Sequence, residues 1–210
     1  MYQKIFNLLY KHYGPQHWWP GDTPIEIIVG AILTQNTNWK NVEKAIINLK
    51  DNGALTVEAL HNIAVDSLAE LIRPAGYFNV KAKRLKNFIH FVYTEFDGNL
   101  ELMRKESLKD LRSKLLTVNG IGPETADSII LYAFDKPSFV IDAYTKRIFT
   151  RHHLVPEDID YHGLQDEFQS SLEADTQVFN EYHALIVQTA KDYCKTKPDC
   201  ENCPLNVLFD

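Results

Sequence analysis

The feature that most constrains the fold of this 210-residue chain is a short glycine turn between two amphipathic runs. The turn reads Val-Asn-Gly-Ile-Gly over residues 118–122, and apolar residues recur at helical spacing on both sides of it. Gly120 and Gly122 permit backbone angles that a side chain forbids. Pro123 stands where the second helix should begin, a position at which its missing N–H has no cost. The pattern predicts two helices joined by a tight hairpin turn.

This turn is expected to present backbone N–H groups at the N-terminus of the second helix. Such groups, together with the helix dipole, favour a bound anion such as a phosphate, and two glycines allow it to approach closely. A hairpin that only packs is the alternative explanation, because glycine turns between helices are common.

The composition is that of a globular chain. Apolar residues make up 45% of it, and no run approaches the ~20 apolar residues that a membrane-spanning helix needs. The apolar centre of residues 1–14 is too short and interrupted for a signal peptide, so we expect a cytoplasmic protein. The net charge of −6 argues weakly against nucleic-acid binding. However, basic residues are concentrated in two runs, at 81–86 and 145–153.

Helical periodicity extends through the chain and predicts an all-α fold. Thr23 and Ser107 each begin a capping signature. The run after Pro24 is apolar around most of its circumference, so it should be the buried centre of its domain. The other helices are predicted at residues 1–14, 40–53, 57–73, 80–97, 143–151, 162–174 and 177–192.

Together with Asp142, the hairpin resembles the helix-hairpin-helix DNA glycosylases of the endonuclease III superfamily. The segments that carry the resemblance are VNGIGPETA at 118–126 and FVIDAY at 139–144. It implies two helical domains with a DNA-binding cleft between them. One is a central domain of residues 21–134 that contains the hairpin, and the other is built from residues 1–20 and 135–210. Periodicity alone does not predict this division.

The resemblance implies roles for the hairpin and for Asp142. In this family the hairpin grips a DNA phosphate, and an aspartate after a short apolar run assists cleavage of the N-glycosidic bond. Asp142 follows such a run and is therefore the candidate catalytic residue. The candidate phosphate-binding residues are Gly120, Ile121, Gly122 and Thr125.

Bifunctional members of the family carry a lysine in the second hairpin helix, and this lysine attacks the sugar as a Schiff-base nucleophile. Glu124 stands at that position here, and a carboxylate cannot form an imine. Lys114 and Lys136 are near in sequence, but neither is at the family position. The resemblance thus implies a monofunctional enzyme that uses water. Glu124 also suits a first-turn carboxylate that complements the helix dipole.

The three tryptophans fall in two segments, Trp18-Trp19-Pro20 and Gln35-Asn36-Thr37-Asn38-Trp39. This pairing resembles the 3-methyladenine glycosylase branch, in which an aromatic ring from each segment sandwiches the extruded alkylated purine. An electron-poor methylated base stacks favourably between indole rings. Packing between helices is the alternative for the tryptophan pair. The implied base pocket comprises Trp18, Trp19, Pro20, Trp39 and Glu124.

Two further segments are implied to meet DNA. In the family, Gln35 and Asn36 would line the DNA face, with the glutamine filling the space that the flipped nucleotide leaves. The turn after Pro74 would carry a wedge residue, for which Tyr77 and Phe78 are the candidates. A solvated loop and a packed aromatic plug are the respective alternatives. Phosphate contacts are expected from Asn79, Lys81, Lys83 and Arg84.

The three cysteines, Cys194, Cys200 and Cys203, lie within the last 17 residues with the spacing C-x5-C-x2-C. Clustered thiols in a cytosolic protein suggest a metal before a disulfide. Relatives in the endonuclease III family carry a [4Fe–4S] loop with the pattern C-x6-C-x2-C-x5-C. Here the first spacer is shorter, and Phe209 takes the place of the fourth cysteine. A cluster with another fourth ligand, a zinc ion and a lost site remain open.

The sequence therefore predicts a monofunctional, monomeric glycosylase that removes an alkylated purine such as 3-methyladenine from double-stranded DNA. Asp142 would stabilise an oxocarbenium-like sugar and direct water to it. An endonuclease III-like enzyme for oxidised pyrimidines, a lyase that uses another lysine, and a catalytically silent module that binds damaged DNA are the alternatives.

Overall fold

The computed structural model describes residues 1–18 and 21–208, and all regular structure within them is helical. This confirms the all-α prediction. The chain divides into two compact units, one of Met1–Trp18 with Pro137–Asp210 and the other of Trp19–Lys136. Across the described residues, no helix has the length and apolarity needed to cross a membrane.

Twelve α-helices run through the described residues. In chain order they are α1 Tyr2–Tyr13, α2 Pro24–Leu33, α3 Trp39–Asp51, α4 Val57–Asn62, α5 Val65–Leu71, α6 Phe78–Phe96, α7 Leu100–Lys105, α8 Leu108–Leu115, α9 Pro123–Ser128, α10 Ala143–Arg151, α11 Tyr161–Ser171 and α12 Thr176–Asp192. Short 3₁₀ turns occupy Arg73–Ala75 and Asn206–Leu208. A π-helical segment at Ile129–Ala133 directly follows α9.

The predicted central helix, α2, is buried along nearly its whole length and packs against α3, α6 and the α9 region. Ile28 and Ile32 are fully buried, and each such side chain stabilises the fold by about 1.5–3 kcal/mol. The predicted cap is also present. Thr23 accepts a hydrogen bond from the N–H of Glu26, and the Glu26 carboxylate accepts one from the N–H of Asp22.

The single helix predicted at 57–73 is wrong, because the structure has two helices, α4 and α5, separated at Ile63–Ala64. The ammonium of Lys86 on α6 donates to the carbonyl oxygens of Leu60, His61 and Ile63. These carbonyls lie at the C-terminal end of α4, where an α-helix leaves its acceptors without internal partners. The lysine therefore stabilises a helix end that the apolar pattern does not reveal.

In the other unit, α12 is the central helix and packs against α1 and α10. Its buried Tyr182 donates a hydrogen bond to the carbonyl oxygen of Tyr2 at 2.9 Å. Tyr182 also lies edge-on to Phe139 and Phe168, which stack on each other with ring centroids 4.0 Å apart. This aromatic core joins both chain ends in one unit.

The two helices of the hairpin are fastened by a buried ion pair. The Nε and Nη2 atoms of Arg112 on α8 donate to the two carboxylate oxygens of Asp127 on α9, at 2.8 and 3.0 Å. Asp127 is fully buried, whereas the Arg112 side chain is 19% exposed. Two parallel bonds to one carboxylate fix the relative rotation of the helices as well as their distance.

We expect Arg112→Met to lower the free energy of unfolding by about 3–5 kcal/mol, because it leaves a buried carboxylate without its cation. Urea unfolding measures the change, and Lys109→Met, at an exposed position on the same helix, is the control. Replacing both partners, as in Arg112→Met with Asp127→Leu, should recover most of the loss. An Arg112→Met protein as stable as the control would contradict this role.

Candidate functional site

The predicted DNA-binding and catalytic residues fall into two groups, one in each unit. The first surrounds the hairpin turn. Gly120 adopts φ +99°, and a Cβ atom added to it would clash with Cγ of Arg84. The turn therefore requires glycine both for its backbone angle and for the close approach of a side chain.

The hairpin turn uses one of its N–H groups internally. Ile121 donates its N–H to the carbonyl oxygen of Val118 at 3.0 Å, and its side chain is buried. Ile121 thus shapes the turn and does not offer its N–H to a ligand. The N–H of Gly122 has no acceptor among the described residues, and a Cβ at Gly122 would meet only open space. Gly122 is accordingly the point at which an anion can approach the backbone.

Gln35 lies against the hairpin turn and braces it. Its Nε2 donates to the carbonyl oxygen of Gly120 at 3.0 Å and to the hydroxyl of Thr125 at 2.9 Å. Its Oε1 accepts a hydrogen bond from the guanidinium of Arg84. The structure therefore brings Gln35, Gly120 and Thr125 together. To fill the space of a flipped nucleotide, Gln35 would first have to release these bonds.

The prediction that Lys81 contacts a phosphate is wrong. Lys81 is 1% exposed, and its ammonium donates to the carbonyl oxygens of Leu33 and Ala75 at 2.9 and 2.7 Å. Burial lowers the pKa of this lysine, and the charge of Arg84 lowers it further. The first turn of α6 directs Lys81 inward because the carbonyl groups at the end of α2 need donors there.

The turn before α6 distinguishes the two wedge candidates. Tyr77 is 72% exposed and adopts the left-handed conformation with φ +47°, which is uncommon for a residue with a side chain. Phe78 is half-buried beneath the guanidinium of Arg73, 4.6 Å from its ring centroid. Asn79 is exposed in the first turn of α6. Tyr77 is thus the ring that projects from this turn.

Three more residues of this unit were predicted to line the pocket or the DNA face. Asn36 is exposed with φ +55°. Trp39 is the first residue of α3 and is 38% exposed, after an N-cap at Asn38. Glu124 is exposed in the first turn of α9. Trp19 and Pro20, also predicted as pocket residues, lie outside the described residues.

The second group is built around Asp142, which is the N-cap of α10. Its Oδ1 accepts hydrogen bonds from the N–H and the hydroxyl of Thr145, at 2.7 and 2.8 Å. Its Oδ2 lies 3.4 Å from Nε2 of His183, and the side chain is 14% exposed. One carboxylate oxygen is therefore fixed by the helix, and the other faces a histidine.

His183 is a site residue that the sequence interpretation missed. It lies on α12, where the neighbouring side chains are buried, and it is itself buried. The indole of Trp18 lies over its ring, with centroids 5.3 Å apart and planes inclined by 31°. Trp18 thus contacts His183, and His183 in turn contacts Asp142. A histidine among the buried positions of an amphipathic helix was the available signal, and it did not indicate the partner.

The surroundings of Asp142 favour its ionised form. Burial alone would raise the pKa of this carboxyl, but the nearness of His183 and the two bonds from Thr145 outweigh burial and hold the pKa below its usual value. The group is therefore a carboxylate at neutral pH.

Cys194, Cys200 and Cys203 line one open pocket, next to Arg151 and His152. Arg151 donates to Sγ of Cys194 at 3.3 Å. Burial raises the pKa of the Cys203 thiol, and the nearness of the other two cysteines raises it further. Over the described part of the chain, no three His, Cys, Asp or Glu side chains form a site for a single ion.

A [4Fe–4S] cluster takes four thiolates, and the described tail supplies three. Phe209, at the place of the fourth family cysteine, lies outside the described residues. The described donors thus do not fit a zinc ion and are one thiolate short of a cluster.

Residues 29–174 match the HhH-GPD superfamily, described as base excision DNA repair proteins. The MJ1434 protein of Methanocaldococcus jannaschii, which is named as a DNA repair glycosylase, is 50% identical over 208 residues. That alignment covers 98% of this chain and 94% of the relative.

Two solved structures share the fold. The H. pylori 3-methyladenine DNA glycosylase MagIII, bound to 1,N6-ethenoadenine, superposes with a TM-score of 0.77 at 29% identity, over 90% of this chain and 97% of that one. A non-covalent endonuclease III–DNA complex superposes with a TM-score of 0.83 at 18% identity, over 99% and 94% of the two chains. At 18% identity, the superposition on the endonuclease III complex shows only that the two chains share a fold.

The lowered pKa of Asp142 predicts how the variant Asp142→Asn depends on pH. Asparagine retains an N-cap but carries no charge. The folded-state pKa lies below the unfolded value of about 3.9, so the stabilisation by the carboxylate is complete above that value and is lost as the pH falls through the folded pKa. Urea unfolding should therefore show a stability gap between wild type and variant at neutral pH that shrinks below about pH 4. A gap independent of pH would contradict an ionised Asp142.

Proposed function

Since the chain belongs to the HhH-GPD superfamily of base excision DNA repair proteins, we propose that it is a monofunctional DNA glycosylase. Its substrate would be double-stranded DNA in which an alkylated purine such as 3-methyladenine is flipped out of the helix. The observation that carries this proposal is Asp142, an ionised carboxylate in contact with His183, over which the Trp18 indole lies.

The carboxylate suits hydrolysis of an N-glycosidic bond. As the bond to the base breaks, positive charge develops on the sugar, and a carboxylate that is already ionised stabilises it. Thr145 holds Oδ1 through two bonds, so the carboxylate need not reorient during the reaction. Asp142 would also orient the attacking water and accept its proton. An alkylated base that carries a positive charge leaves without a strong general acid.

The lysines near the hairpin support the monofunctional proposal. A Schiff-base nucleophile must be a neutral amine. The ammonium of Lys114 instead donates to the Glu106 carboxylate at 2.7 Å, and this bond raises the pKa of Lys114. Glu124 occupies the family position of the nucleophilic lysine. We therefore expect water to be the nucleophile.

The base pocket and the DNA contacts complete the proposal. Trp18, which contacts His183, would stack on the extruded base, in keeping with the likeness to an enzyme named for 3-methyladenine and bound to an ethenoadenine. The Gly122 N–H would bind a phosphate, and Tyr77 would enter the duplex where the base has left. We propose that the protein acts on DNA as a monomer.

A second candidate is a catalytically silent module that binds damaged DNA. It is favoured by the N-cap bonds of Asp142, because capping alone accounts for the interaction between this aspartate and Thr145. The capping bonds engage only Oδ1, however, and do not account for the contact between Oδ2 and His183. Product release from an alkylated duplex separates the two candidates.

We expect Asp142→Asn to reduce the release of 3-methyladenine from methylated DNA by at least about 100-fold, because positioned acid–base groups contribute 10²–10⁴-fold. Affinity for an abasic-site duplex should change little. Chromatography of the free bases gives the first quantity, and fluorescence anisotropy gives the second. The control is Asp160→Asn, which alters an exposed N-cap of the same type on α11 and should retain activity.

Other outcomes would change the assignment. Equal losses of base release and DNA affinity in Asp142→Asn would argue against a catalytic role. Strand nicking and borohydride trapping on an abasic site would reveal a lyase. If wild type releases bases only from oxidised duplexes, the pyrimidine alternative is correct. If wild type releases no base from either duplex, the catalytically silent binding module becomes the supported candidate.

The exposure of Tyr77 predicts a role in holding the duplex open. Tyr77→Ala should slow single-turnover base release about tenfold on a paired lesion. The effect should be smaller on a mispaired lesion, which is easier to flip. Tyr77→Phe, which keeps the ring, should behave like wild type. An Ala variant with unchanged rates and unchanged 2-aminopurine fluorescence next to the lesion would exclude Tyr77 as the wedge.

A further inference from the structure

Three polar side chains on one side of α6 end at three different segments of the same unit. Lys81, Arg84 and Asn87 are spaced three residues apart, so they lie close together along the helix surface. We call them the α6 polar stripe. Of the three segments that they reach, only the turn before α6 is adjacent to this helix in sequence.

The first member links the end of α2 with the turn that carries Tyr77. Lys81 donates to the carbonyl oxygen of Leu33, the last residue of α2, and to that of Ala75. Leu33 immediately precedes the segment that contains Gln35. The buried ammonium therefore holds the starting points of two segments together.

The second and third members reach the hairpin turn. The guanidinium of Arg84 donates to Oε1 of Gln35, and the aliphatic part of Arg84 lies against Gly120. Asn87 donates from Nδ2 to the carbonyl oxygen of Asn119 at 3.1 Å. Two successive carbonyl groups of the turn, those of Asn119 and Gly120, thus accept bonds from Asn87 and Gln35.

The bonding partners of Gln35 allow only one orientation of its carboxamide. Arg84 can only donate, and the Gly120 carbonyl can only accept. Rotating the carboxamide by 180° would place donor against donor and acceptor against acceptor. Arg84 therefore selects the orientation in which the amide N–H groups face Gly120 and Thr125.

In this orientation, both polar groups of the peptide between Gly120 and Ile121 are hydrogen-bonded. Its oxygen accepts from Gln35, and its N–H donates to Val118. The next N–H along the chain is that of Gly122, which has no acceptor among the described residues. The direction of that N–H consequently depends on a peptide that Gln35 and Val118 immobilise.

We propose that Arg84 is a positioning residue that acts through Gln35 to pre-orient the hairpin turn for a DNA phosphate. Its role in DNA binding rests on the function proposed above. The same arrangement reassigns Arg84, expected from the sequence to contact phosphate directly, to an indirect role. Loss of Arg84 should weaken the grip on DNA because the hairpin must then be ordered upon binding.

A double-mutant cycle of Arg84→Met and Gln35→Ala tests this inference. Methionine keeps an unbranched stem to cover Gly120 but removes the guanidinium. The affinity for a duplex with an abasic-site analogue should fall about five- to tenfold in each single variant. The double variant should fall no further than either single one, because residues that act through one another are not additive. Arg84→Lys, which restores a donor, should recover part of the loss.

Hydrogen exchange of residues 118–126 in the free protein gives a readout that needs no DNA. Both single variants should exchange faster there than wild type, and Lys44→Met, which removes an exposed charge on α3, should not. Gln35→Glu keeps an acceptor for Arg84 but opposes the Gly120 carbonyl, so it should also loosen the turn.

Two results would overturn the proposal. Multiplicative losses in the double variant would mean that Arg84 meets DNA by itself. Unchanged hydrogen exchange at residues 118–126 in Arg84→Met would mean that Arg84 does not immobilise the hairpin turn. If wild type releases no base yet the cycle and the exchange behave as expected, the glycosylase assignment fails and the positioning role stands. If wild type does not bind the duplex, hydrogen exchange at residues 118–126 alone tests whether Arg84 immobilises the hairpin turn.

Discussion

The geometry of the hairpin turn depends on the close approach of Arg84 to Gly120. It requires a residue without Cβ at a positive φ, and it places the guanidinium where it orients Gln35. A turn built in this way has little freedom to relax, because its carbonyl groups and one of its N–H groups are bonded within the protein. What remains for a ligand is a backbone N–H whose direction was set before any ligand arrived.

Several cationic side chains of this acidic chain are bonded to groups of the protein itself. Lys81 and Lys86 satisfy carbonyl groups at helix ends, and Arg112 pairs with a buried carboxylate in the hairpin. Each of these contacts stabilises a boundary or crossing that helix propensity leaves undefined. A count of basic residues therefore overstates the number of cations that are not already bonded within the protein.

Asp142 caps a helix, and its capping bonds also suit it to the chemical role proposed for it. As an N-cap it fixes the start of α10 through Oδ1, and the same bonds keep Oδ2 turned toward His183. A carboxylate held in this way meets the requirement for electrostatic catalysis, which is a charge that does not have to reorganise. The capping role and the proposed chemical role therefore support one another.

Much of the fold could be predicted from the sequence, because helical periodicity and capping are local. The all-helical fold, the glycine hairpin, the caps at Thr23 and Ser107 and the burial of α2 all follow from residues within a few positions of one another. The break between α4 and α5, the inward turn of Lys81 and the contact of His183 with Asp142 do not. Each depends on a side chain that meets atoms distant in the chain, and no local pattern records which distant atoms will be near. The sequence thus determined the helical class and most of the helices, and the tertiary structure decided where one predicted helix is broken and which side chains face each other.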